Sequence, residues 1–218
     1  MQLHKLSPQI LLFTSEKNKE LSLTFCRVQE FYESQNEKLL GKPFSFSDFI
    51  AESMDEDGFI DYFSYWTGFN FPDTAFREWY KCNNAFTDWE KDLIKKIQEN
   101  VHHYDDKFYV IGALAKEKDT INHEIAHALY YLNNSYFIEM TELILEFAIQ
   151  HKKQYNKMKK ALIGMGYNEN VLADEIQAYL STSKKSELVE DFKLDYDTLS
   201  PLIKQFRKVL RKYNSFQI

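Results

Sequence analysis

Residues 107–132 read KFYVIGALAKEKDTINHEIAHALYYL, and this stretch decides how the rest of the chain is read. Lys107 to Leu114 is a nearly continuous apolar run of strand length, the signature of a buried strand. Lys116 to Asp119 is a charged turn. From Thr120 to about Leu132 the pattern is helical, and Asn133-Asn134 is a plausible stop. Within that helix His123 and His127 stand four residues apart. That spacing stacks two imidazoles on one face, one turn apart, where they can hold a single Zn²⁺ at about 2.0–2.1 Å each. Glu124, beside the first histidine, is placed to take a proton from a water at the ion. Ile121, Ile125, Ala126, Ala128 and Leu129 carry no charge, so the back of this helix is expected to be buried. A buried helix bearing His, Glu and His must satisfy three polar groups, and a metal does so. The plain alternative is two core histidines and a solvated glutamate, each with its own hydrogen-bond partners.

Downstream, a second helix is expected from about Ser135 to His151 or beyond, with Phe137, Met140, Ile144, Phe147 and Ala148 as its apolar stripe. Gly164-Met165-Gly166 ends the helical stretch that follows. Asn168 or Asn170 caps a helix carrying Val171, Leu172, Ile176, Tyr179 and Leu180. Glu175 sits in this helix among Ala173, Ile176, Ala178 and Leu180, with Tyr179 one turn on along its face. Its neighbour Asp174 points about 100° away around the helix. A charged break runs from Ser183 to Glu187. A last amphipathic helix spans about Thr198 to Tyr213, with Pro201 in its first turn.

Upstream, Leu21 to Val28 has the apolar and hydroxyl content of a strand. Ser45 to Met54 suggests a short helix. Phe59 to Phe71 is a dense aromatic block, suited to a core or to the wall of a cleft. Thr87-Asp88-Trp89-Glu90 is a capping box opening a helix to about Glu99. The chain thus divides into an aromatic-rich N-terminal lobe, residues 1–100, and a second lobe, residues 101–218, that carries the histidines. The two are expected to form one compact unit.

Composition narrows the function classes. Thirty-three acidic against 27 basic residues give a formal net charge of -6, and no basic patch stands out, which argues against a nucleic-acid partner. Ile10 to Phe13 is too short for a signal h-region or a membrane span, so no membrane partner is expected. A cytoplasmic protein is the default, with signal-independent secretion left open. Cys26 and Cys82 lack metal or disulfide spacing and read as two buried thiols in a reducing compartment. His102-His103 reads as a solvated loop pair.

The segment from Lys107 to Leu180 resembles the zincin metallopeptidases, and among them the gluzincins. The resemblance implies Zn²⁺ held by His123 and His127, with Glu124 as the base that activates water. It also implies a third ligand, Glu175, within Glu175-Ile176-Gln177-Ala178-Tyr179, similar to the family's E-x-x-A/S-D. Tyr179 stands where the family has an acid that supports a ligating histidine; Asp174 or another acid is open for that role. The metzincin pattern HExxHxxGxxH is absent. The implied fold is α+β, a helix-rich zincin-like domain with a small mixed or antiparallel sheet beside the HExxH helix. Phe108 to Leu114 would be either the edge strand that pairs with an extended peptide or an ordinary central strand. The implied substrate is a peptide or protein. Tyr179 is the catalytic candidate beside Glu124 for stabilising an oxyanion; Tyr167, Tyr130, Tyr131 and His151 are its rivals. Two other readings stay open: a catalytically silent binding or regulatory protein, its site plugged by a segment such as Asn214 to Ile218, and a metal-dependent hydrolase of a non-peptide amide or ester. Oligomeric state is not legible.

Overall fold

The computed structural model describes residues 1–83, 85–101, 103 and 106–216. The fold is α+β, mostly helical with a small mixed sheet. Its contacts separate into two units, Met1–Ile121 and Asn122–Ile218.

The first unit contains β1 (Gln2–Ser7), β2 (Ile10–Ser15), α1 (Asn18–Glu33), α2 (Phe46–Ser53), α3 (Tyr62–Tyr65), β3 (Gly68–Pro72), α4 (Asp73–Cys82), α5 (Asp88–Asn100) and β4 (Tyr109–Leu114). The sheet order is β1-β2-β4-β3. β1 and β2 form an antiparallel pair, β2 runs parallel to β4, and β3 is antiparallel to β4. The interior strands β2 and β4 are mostly apolar and are buried almost throughout, whereas no residue of the edge strand β1 is fully buried. Both sides of β4 are paired, so the edge-strand reading of Phe108 to Leu114 is corrected to the central one. This pairing also places the strand with the first hundred residues, and the division falls at Ile121/Asn122 rather than near residue 100.

Leu21 to Val28 is not a strand but the middle of α1. Every residue from Leu21 to Val28 is buried, and a helix covered on all sides loses the polar face that would betray its period. α1 lies on the sheet, where Phe25 meets Gly112 so closely that a Cβ at Gly112 would stand 2.7 Å from the ring. The aromatic block contributes Phe69 and Phe71 to this core, with Phe25 stacked on Phe69 at 5.6 Å. Arg27 and Glu90 form an ion pair of 3.2 Å in the interior. Arg27 also donates to the carbonyl of Ala85 and to Asn83 Oδ1, each at 3.0 Å. Thr87 and Glu90 close the expected capping box of α5, and Ser45 and Asp48 close one on α2. Cys26 is buried as expected; Cys82, at the end of α4, is exposed, which corrects the pair of buried thiols. His103 is exposed, and His102 lies outside the described residues.

α6 (Lys118–Leu132) crosses the division, and its part from Asn122 onward opens the second unit. There follow α7 (Asn134–Gln150), α8 (Lys152–Gly164), a 3₁₀ turn (Glu169–Val171) capped by Asn168, α9 (Leu172–Thr182), α10 (Lys185–Glu190) and α11 (Tyr196–Tyr213). α9 packs against α7, α8 and α11, and α7 packs against α8 and α11. The charged break at Ser183–Glu187 is shorter than expected, since α10 starts at Lys185. α11 begins two residues before Thr198 because Asp195 caps it, accepting from the Thr198 amide at 3.2 Å. Pro201 therefore lies in the second turn, inside the helix, rather than in the first. Among the described residues no helix is long and apolar enough to cross a membrane.

Candidate metal centre

His123, His127 and Glu175 come together in the second unit, each offering a ligand atom within 4.8 Å of the others. The histidines project from α6 and the carboxylate from α9, elements 48 residues apart at His127 and Glu175 in a chain where only the helices between them bring the two together. The Nε2 atoms of His123 and His127 are 3.2 Å apart. Glu175 Oε1 is 3.5 Å from His127 Nε2, and Oε2 is 3.7 Å from His123 Nε2. Donors about 2.0–2.2 Å from a tetrahedral ion are separated by roughly 3.3–3.5 Å. The three observed separations bracket that range, so the residues fit a zinc-sized divalent cation.

The far side of each imidazole decides which nitrogen faces the cluster. His127 Nδ1 is 2.9 Å from Asp174 Oδ1. A carboxylate accepts, so Nδ1 carries the proton and the Nε2 lone pair turns inward. His123 Nδ1 is 3.2 Å from Thr182 Oγ1, whose own hydroxyl donates to the Ala178 carbonyl at 2.7 Å. Thr182 therefore receives the Nδ1 proton, and the His123 Nε2 lone pair also turns inward. Two imidazole lone pairs and a carboxylate then converge on one point. Glu175 is 2% exposed and its Oε2 has no hydrogen-bond partner, an expensive arrangement without a positive charge between these atoms. Burial pushes the His127 imidazole down, but Asp174, Glu175 and Glu124 outweigh it and hold its pKa well above the ordinary range; the surplus negative charge favours a cation at this spot, either a proton on Nε2 or an ion in its place.

Asp174 is itself fixed. It accepts from Gln177 Nε2 at 2.9 Å, and Gln177 Oε1 accepts from the Tyr136 hydroxyl at 2.7 Å. Gln177 and Tyr136 are fully buried, and burial pushes the Tyr136 phenol well above its usual range, keeping it a donor. Asp174 thus orients the His127 ring, the supporting role for which position 179 offers only Tyr. Thr182, Gln177 and Tyr136 went unmarked in the sequence, although Thr182 lies seven residues after Glu175 and so shares its helical face.

Glu124 is buried at 5% exposure and acts electrostatically on His127. Tyr179 packs its ring edge-on to His123 at 4.6 Å and places its hydroxyl 3.0 Å from that of Tyr167. Of the other rivals, the Tyr130 hydroxyl meets Thr141 at 3.3 Å and His151 lies at the junction of α7 and α8. At the C-terminus Asn214 donates to Asn122 at 3.5 Å; Gln217 and Ile218, the end of the plug considered above, lie outside the described residues. No protein-family model, curated protein or solved structure matches the chain.

Proposed function

We propose that this protein is a zinc-dependent hydrolase of gluzincin type, with a peptide or protein as substrate. One observation carries the reading: the inward-facing nitrogens of His123 and His127 converge with the buried carboxylate of Glu175, whose Oε2 has no hydrogen-bond partner. His123, His127 and Glu175 would hold the ion, which when bound would supply Lewis acidity toward water and a scissile carbonyl. Three protein ligands among the described residues, rather than four, is the pattern of catalytic sites that keep a position open, which favours an enzyme over a closed structural site.

Within this reading Glu124 takes the proton of the attacking water on its carboxylate and delivers it to the leaving amine. Asp174 and Thr182 keep both imidazoles in the tautomer that leaves Nε2 free. Tyr179, against the His123 ring, is the candidate donor to a developing oxyanion; its hydroxyl would have to exchange Tyr167 for substrate.

The reading predicts that Glu124→Gln keeps the metal and lowers hydrolysis of a quenched-fluorescent peptide library by about 10²-fold or more. A Glu124→Gln protein that cleaves at the wild-type rate would overturn the mechanism.

A further inference from the structure

α7 presents a row of side chains to solvent that the packing of the second unit does not use. Ile138, Glu142, Leu145 and Ile149 recur at steps of three and four and so share one face, opposite the buried face that holds Met140, Ile144 and Phe147. Leu145 is 56% and Ile149 78% exposed, and Phe137 and Ile138 are exposed near them. Single exposed apolar residues are ordinary, but a contiguous row of them marks a surface that is covered by something. The charges around this row are sorted by helix. α7 carries Glu139, Glu142 and Glu146 and no base, whereas α8 carries lysines at 152, 153, 157, 159 and 160 and no acid. Glu139 is held by Lys212 at 2.7 Å. Glu142, Glu146, Lys153 and Lys160 form no ion pair among the described residues. Lys153 and Lys160, seven residues apart, share the exposed face of α8, with the exposed Ile163 one turn beyond Lys160. α7 and α8 pack on each other and both pack on α9, so their outward faces adjoin.

This surface is complementary to itself. A two-fold axis lays α7 of one copy along α8 of another and makes every contact twice, setting unpaired glutamates against unpaired lysines and covering the apolar row from both sides. A lipid surface fits poorly, because Glu142 stands in the middle of the apolar row and would have to enter the acyl boundary. Pairing α7 with α7 alone sets acid against acid. We infer that the protein forms a two-fold dimer through α7 and α8, with Leu145 and Ile149 at its centre and Glu142 and Glu146 facing Lys153 and Lys160 of the second copy. The inference is independent of the metal centre and stands whether or not the proposed hydrolase activity does.

The test is sedimentation equilibrium of the full chain from low micromolar to hundreds of micromolar, with circular dichroism as the control for folding. The wild-type mass should rise to twice the 26.0 kDa of one chain, and Leu145→Asp with Ile149→Asp should abolish the rise. Two charge reversals probe the pairing: Glu142→Lys with Glu146→Lys in one protein, and Lys153→Glu with Lys160→Glu in another. Each alone sets like charges together at both copies of the contact and should weaken the dimer at least tenfold. Mixed in equal amounts, the two proteins restore opposite charges at both contacts and should pair within a fewfold of wild type. A wild-type chain that stays single throughout, whether or not it binds anionic phospholipid vesicles, would overturn the inference. So would a dimer that withstands both reversals, or a mixture that pairs no better than either reversed protein alone. A dimer that withstands only the lysine reversal would overturn it as well, in favour of α7 pairing with α7.

Discussion

Asp174→Asn isolates the tautomer argument on which the metal centre rests. The substitution preserves shape and removes one negative charge, 2.9 Å from His127 Nδ1. The amide can still accept the Nδ1 proton, so the imidazole keeps its direction, but it no longer raises the basicity of Nε2 toward an ion. Partners of this kind are worth about 10–100-fold in metal affinity, or roughly 1.4–2.7 kcal/mol. Asp174 is 20% exposed on its side chain, so no sizeable void opens and the fold should be unaffected. Asp174→Ala, which also frees Gln177 and loosens the ring, should reach the upper end of that range. The assay is a competition titration of metal-free protein against a chromophoric zinc chelator at fixed pH, with circular dichroism as the control for folding. An Asp174→Asn protein that binds within twofold of wild type would refute the orienting role. Complete loss of binding would refute it too, by making Asp174 a ligand itself.

Two further outcomes concern the first unit. Arg27→Met leaves the Glu90 carboxylate, 1% exposed, without its cation and should cost about 3–5 kcal/mol in urea unfolding, whereas Arg27→Met with Glu90→Leu should recover part of it, less the lost bond from Glu90 to the Thr87 amide; a harmless single substitution would contradict the buried pair. Gly112→Ala forces a methyl against the Phe25 ring and should cost about 1–3 kcal/mol through overpacking, read by thermal unfolding; Gly112→Ala with Phe25→Leu should then be less damaged than the sum of the two single substitutions.

Much of this was legible in the residues themselves. The capping box at Thr87–Glu90 is a local hydrogen-bond pattern and needs no tertiary information, so α5 starts where the sequence puts it. His123 and His127 share a face by helical geometry alone. Their meeting with Glu175 required α7 and α8 to return the chain, and the apolar neighbours of Glu175 were the clue that it would be buried. Other features have no local signal. β2 is a short apolar run, and its identity as an interior strand comes from pairing with β4, Ile10 opposite Tyr109. β3 was hidden inside the aromatic block for the same reason. α1 was misread because a helix buried on every side shows the same apolar continuity as a strand. Asp174 could be read as a rival ligand or as one of the acids open for a supporting role, because sequence gives its angle on α9 but not that His127 Nδ1 would lie on that side.

The most direct measurement is zinc binding to the metal-free chain, by native mass spectrometry for stoichiometry and X-ray absorption for the ligands. The account predicts one ion per chain, with two imidazole nitrogens and a carboxylate oxygen at about 2.0–2.2 Å, and loss of the ion in His123→Ala and in Glu175→Ala. A folded wild-type chain that takes up no zinc, or one that still binds it at full affinity after both His123→Ala and His127→Ala, would contradict it.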